Sequence, residues 1–144
     1  MGMRCSFDYA VVRVVPHVER QEFINAGVIL FCDARDFLEA RVELDEHRLL
    51  ALAPSVTEVT EATNAMERAE IDIIRRHLEA IPRICQGGHA AGPIGQLPLR
   101  ERWHWLVAPR STILQMSPPH SGLTESPADA LARLFDRLAR SPRR

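Results

Sequence analysis

The segment FDYAVVRVVPHVERQEFINAGVILFCDARDFLEARVEL, residues 7–44, decides the fold. Its first run, 7–15, alternates: Phe7, Tyr9, Val11, Arg13 and Val15 face one way, and Asp8, Ala10, Val12 and Val14 the other. Pro16 ends it. The second run, 26–32, is apolar on both faces and reads as a central strand covered on both sides. A short connection at 33–36 leads into 37–44. There Leu38, Ala40, Val42 and Leu44 point inward, and Glu39, Arg41 and Glu43 point to water. Connections this short predict an antiparallel meander.

Outward from the meander, helical patterns take over. Asp45 is placed to cap a short helix bearing Leu49, Leu50 and Leu52, stopped by Pro54. From Ala65 onward, Ile71, Ile74, Leu78, Ile81 and Cys85 fall on one helical face, with Pro82 expected to end or kink the helix. Residues 87–95 hold four glycines and read as a loop. Residues 97–107 suit a helix stopped by Pro109, although Trp103, Trp105 and Val107 also fit a strand. A fourth strand is expected at 111–117, then Pro118, Pro119 and a polar loop. The last helix carries Ser126 as N-cap, Pro127 in the first turn and Asp129 in capping-box position. Leu131, Leu134, Phe135 and Leu138 make its apolar stripe, with i,i+4 pairs at Asp129–Arg133 and Asp136–Arg140. The expected architecture is a single compact α+β domain over 1–144. An antiparallel sheet of about four strands carries packed helices, with a variable insertion at 55–64 and a basic tail at 141–144.

Composition narrows the chemistry. All 18 basic residues are arginine, which removes Schiff-base, phosphate-loop and general-base lysine mechanisms at once. A net charge of −1 gives no broad grip on nucleic acid, so that class of partner is not expected. The longest apolar run, 26–32, is far below the roughly 20 residues of a membrane-spanning helix. Three scattered cysteines, Cys5, Cys32 and Cys85, without a C-x-x-C motif, point to reduced thiols and a cytoplasmic setting. Neither the histidines nor the cysteines have metal-ligand spacing, and no metal or cofactor is expected. Cys32 and His120 are the nearest thing to a nucleophile pair, but Cys32 lies in an apolar strand where thiols are usually inert packing.

Two stretches hold more polar residues of functional type than packing needs: 17–27, and 99–112 continuing to Gln115, Ser117 and His120. Arg13 occupies an otherwise apolar strand position, where an unpaired charge is costly. It reads either as a cleft arginine for a carboxylate or phosphate, or as one half of a buried pair with Glu22. Arg110, Ser111 and Thr112, with Gln115 and His120, offer an anion site or a polar cap over helix carbonyls. Arg13, Glu22, Asn25, Arg110, Ser111, Gln115 and His120 form the candidate ligand set, and Trp103 and Trp105 are the candidate interaction hot spots.

The stretches YAVVRVVPHVERQEFINAGVILFC, RERWHWLVAPRSTILQ and HSGLT resemble the bacterial domain of unknown function 3037 family, from Tyr9 to about Arg137. The resemblance rests on Arg13, Glu22, Phe23, Asn25, Gly27 and Val28. It continues through Arg102, Trp105, Pro109, Arg110, Ser111, Gln115 and Gly122, and is poorest at 55–64. It implies no particular reaction. It does imply a partner, because members lie beside genes for kinase-like proteins of the HipA toxin type. The leading expectation is a non-enzymatic accessory protein that binds a partner, with a HipA-like kinase as the candidate. The alternative is a small enzyme or ligand-binding domain with an arginine-based pocket for an anionic small molecule.

Overall fold

Strand β1 (Cys5–Val14) is paired along both edges in the computed structural model, which describes residues 3–16, 21–52, 61–110 and 112–140, and of 61–67 the backbone alone. On one side it pairs with β2 (Ile24–Cys32), which pairs in turn with β3 (Phe37–Val42). Its other edge is shared by β4 (Leu114–Met116), opposite residues 12–14, and β5 (His120–Thr124), opposite residues 5–9. All pairings are antiparallel, so the expected meander is present. The described sheet has five strands, because residues 120–124, read from sequence as loop, form β5. Exposed polar residues at His120 and Ser121 hid that strand, whose backbone is fixed by β1 rather than by its own side chains.

Two irregularities shape the sheet. On β2, Gly27 faces Val12 while Asn25 faces Arg13, which leaves Ala26 as an extra residue. The chain comes close to β3 at this point. A Cβ on Gly27 would lie 2.7 Å from the Arg41 carbonyl oxygen and 2.8 Å from Val42 Cγ1. On the outer edge, Met116 faces Val12 and His120 faces Tyr9, so residues 117–119 stand opposite only Ala10 and Val11. Pro118 and Pro119 have no N–H to give. Ser117 closes the gap: its amide donates to the Val11 carbonyl (2.9 Å), and its Oγ accepts from the Val11 amide (2.8 Å).

Both faces of the sheet are covered. Helices α2 (Glu61–Gln86) and α4 (Leu99–Val107) pack on one face, where Ala10, Val12, Val14, Ile29 and Phe31 meet Leu78, Ile81 and Leu106. Helix α5 (Pro127–Leu138) covers the other, where Phe7, Val28 and Leu30 meet Leu131 and Phe135. β2 therefore has to be apolar on both sides, as its sequence predicts. The five-residue stripe of α2, Ile71, Ile74, Leu78, Ile81 and Cys85, is buried throughout. The helix runs past Pro82 to Gln86, so of the two expected outcomes the proline does not end it. A proline inside a helix costs about 3 kcal/mol. Burial of Ile81 and Cys85 on either side of it offsets that cost.

The remaining elements follow local chemistry. Helix α1 (Glu46–Leu52) starts where Asp45 Oδ1 accepts from the Arg48 amide (3.1 Å). The Glu46 carboxylate accepts from Arg75 and from Arg68, which tie α1 to α2; the Arg75 hydrogen bond above all holds that carboxyl below its ordinary range. The stretch read as a loop at 87–95 is instead wound into a 3-10 turn, His89–Ala91, and the one-turn helix α3 (Gly92–Gly95). Residues 97–107 resolve to helix rather than strand. The fourth strand is shorter than expected, at Leu114–Met116, and the variable insertion lies largely outside the described residues. Ser126 Oγ accepts from the Asp129 amide (3.3 Å), capping α5 as expected; of the two i,i+4 pairs only Asp136–Arg140 forms, at 3.3 Å.

Replacing Ser117 with Ala leaves the buried Val11 amide without an acceptor, and urea unfolding should show a loss of about 1–3 kcal/mol. Gly27→Ala should cost more than Ser117→Ala, since its new methyl meets backbone that cannot turn aside.

Candidate functional site

The antiparallel register places Asn25, Arg13 and Gln115 in one row across β2, β1 and β4. Directly opposed residues project from the same face. That face is the α5 side, because the Asn25 Nδ2 donates to the Leu138 carbonyl at the end of α5 (2.9 Å). The Arg13 guanidinium lies 4.3 Å above the Phe23 ring, a cation–π contact that lets an arginine sit on an apolar strand face. Two atoms of the row, Arg13 Nε and Asn25 Oδ1, are buried without a hydrogen-bond partner. Gln115 donates to the Thr112 carbonyl (3.0 Å), and Glu22 stands half-buried just before Phe23.

The rest of the candidate set is dispersed. His120 stacks against Tyr9 with ring centroids 5.5 Å apart. Tyr9 is four residues from Arg13 along β1, about 13 Å away at strand rise. Arg110 lines a groove with Leu114 and Met116, whose side chains belong to the α2 side of the sheet. Arg13 and Arg110 thus occupy opposite faces and do not converge on one ligand. Ser111 lies outside the described residues. Trp103 is 3% exposed and stacks on Phe31 with centroids 5.6 Å apart, so of the two tryptophans only Trp105 faces solvent.

That groove has a volume of about 620 Å³. One wall is α2, through Ile73, His77, Ala80 and Ile84; the other is Trp105 at the end of α4 and Ile113 ahead of β4. Leu114 and Met116 lie at the sheet end. Three large apolar side chains stay exposed here: Ile73 at 50%, Ile113 at 40% and Trp105 at 38%. Arg110 lies over the Trp105 ring, 4.3 Å from its centroid, and donates to the Trp105 carbonyl (2.7 Å). Sequence reading passed over this wall, although Ile73, His77, Ala80 and Ile84 repeat at helical spacing beside the buried stripe. A second apolar stripe on a helix already buried along one side is the signal that marks such a groove.

Three of the polar residues hold helix ends. Asn25 holds the last turn of α5, and Arg110 the last turn of α4. Arg102 Nη1 donates to the carbonyls of Ile84 (3.0 Å) and Cys85 (2.8 Å) at the end of α2. A cation suits a helix C-terminus, where carbonyls lack partners and the dipole is negative.

The cysteines offer no ready nucleophile. Burial, and then the hydrogen bond to Cys5 across 3.3 Å, push the Cys32 thiol up. Burial raises Cys85 to about 12. Among the described residues, no three or more His, Cys, Asp or Glu side chains stand together as a metal site. No helix among them is long and apolar enough to cross a membrane.

The family model described as Protein of unknown function (DUF3037) matches residues 9–139, and the chain belongs to that family. No curated protein and no solved structure matches it.

At pH 8 a thiol with a pKa of about 12 has roughly one part in ten thousand as thiolate, so native Cys85 should resist iodoacetamide. Arg102→Ala removes two hydrogen bonds from the turn that holds Cys85. It should lower unfolding free energy by about 1–3 kcal/mol and speed Cys85 alkylation, read by mass mapping.

Proposed function

We propose that this DUF3037 chain is a non-enzymatic docking protein that seats an apolar helical segment of a partner protein between α2, the end of α4 and β4. The convergence of Ile73, Trp105 and Ile113 on one concave surface carries the reading. Exposed large apolar residues scattered singly are ordinary, whereas three gathered around one groove mark an interaction site. A helical occupant is supported by the layering: α2 packs chiefly on β3 and touches β4 only lightly, which leaves room beside it. A helix laid there extends the helical layer and buries its own apolar face. Trp105 serves as the central anchor, since a large rigid ring gains much contact area for little lost rotamer freedom.

The partner named by the family resemblance, a kinase-like protein of the HipA type, is the first to test. The three free, buried cysteines support a reducing compartment such as the cytoplasm. A second reading, binding of an anionic small molecule by Arg13, Asn25 and Gln115, is favoured by the two unpaired buried atoms of that row. It predicts that Arg13→Ala removes ligand-induced thermal stabilisation while the apo protein stays folded.

For the docking reading, the chain is mixed with a kinase-like protein of the HipA type and run through size exclusion. The wild type should co-elute with the kinase, whereas Ile73→Glu and Ile113→Glu should separate from it with unchanged far-UV circular dichroism. Leu123→Glu, an apolar position 68% exposed but away from the groove, should still co-elute. Co-elution of both groove variants would overturn the docking site, and separate elution of the wild type would overturn that partner.

A further inference from the structure

We propose that the docked segment carries a carboxylate beside its apolar anchor, and that Arg110, held over the Trp105 ring, receives it. The inference rests on the docking reading and adds the chemistry of the partner.

Arg110 is the groove's permanent charge. Among the described lining residues the other polar groups are His77 and Thr112, and none is Asp or Glu. The surface therefore combines apolar walls with an uncompensated guanidinium, which selects an apolar group bearing a negative charge. A guanidinium has five N–H donors in a planar fork. In Arg110 the hydrogen bond to the Trp105 carbonyl and the contact with the Trp105 ring fix the plane. That leaves further donors for an incoming oxygen pair. Because the side chain is already held, docking loses little of its rotamer freedom.

Charge density distinguishes a carboxylate from a phosphate. One guanidinium matches the single charge of a carboxylate through two parallel N–H···O bonds. A phosphate dianion would bring a second charge into apolar surroundings where the described lining offers no second fixed cation to meet it. The bound group is thus an acidic side chain or chain terminus next to a large apolar residue.

The probes are decanoate, decanol and decylammonium, each titrated into the full chain labelled with fluorotryptophan. The Trp105 resonance is identified by its loss in Trp105→Phe. Decanoate should shift it with an affinity about tenfold above decanol, and decylammonium should bind weakest. In Arg110→Gln, decanoate should fall to the affinity of decanol. Saturating decanoate should displace the partner in size exclusion. Decanol binding as tightly as decanoate, or a preference that survives Arg110→Gln, would overturn the carboxylate inference and leave docking of a neutral segment standing. The same holds if no probe shifts Trp105 while Ile73→Glu still separates the partner. If no probe binds and the groove variants keep the partner, the docking reading itself falls. Decanoate that binds without displacing the partner would assign the groove to a free apolar acid and overturn the segment.

Discussion

The double pairing and double covering of β1 is the constraint on which the rest of the molecule depends. A strand flanked on both edges has to satisfy every backbone group in register, and one covered on both faces has to be apolar at both parities. Within residues 10–14 Arg13 is the exception, and the Phe23 ring makes it tolerable. The extra residue on β2 then decides which of its side chains meet which helix. After Ala26 the parity changes, so Ile29 and Phe31 face α2 and α4 while Val28, Leu30 and Cys32 face α5. Removing the bulge would slip the pairing beyond it by one residue, exchange those two sets and break both cores.

With the sheet fixed, the helices are fastened by their ends. Asn25 reaches the last turn of α5, Arg102 that of α2, and Arg110 that of α4. Asn25 and Arg102 come from far along the chain, so each such bond is at once a cap and a tertiary contact. Arg102 reaches two successive carbonyls at once, both from its Nη1. The lysine-free composition, which first matters for the mechanisms it excludes, thus also bears on how the fold is held.

Much of the fold was legible because alternation and helical period are direct consequences of burial. The meander, the five-residue stripe of α2 and the Ser126 cap all follow from single-residue patterns. What escaped depends on contacts distant in sequence. β5 borrows its conformation from β1, and α2 crosses Pro82 because the core beneath it outweighs the lost hydrogen bond. The site was legible in part. Register brought Asn25, Arg13 and Gln115 together, yet Arg110 fell on the opposite face, a fact set by how the chain leaves α4. Ile73 and Ile113 were not singled out because each is ordinary alone; their meaning comes from convergence across α2 and the approach to β4.

The outer edge beside the groove is made of two short strands with Ser117, Pro118 and Pro119 between them. Such an edge presents no unbroken run of amides and carbonyls, so another chain cannot zip onto it as an additional strand. A molecule that exposes apolar side chains beside a sheet margin ordinarily risks polymerising through that margin. Here the prolines separate stickiness from templating, and the groove can stay open to a visitor without seeding fibres of its own kind.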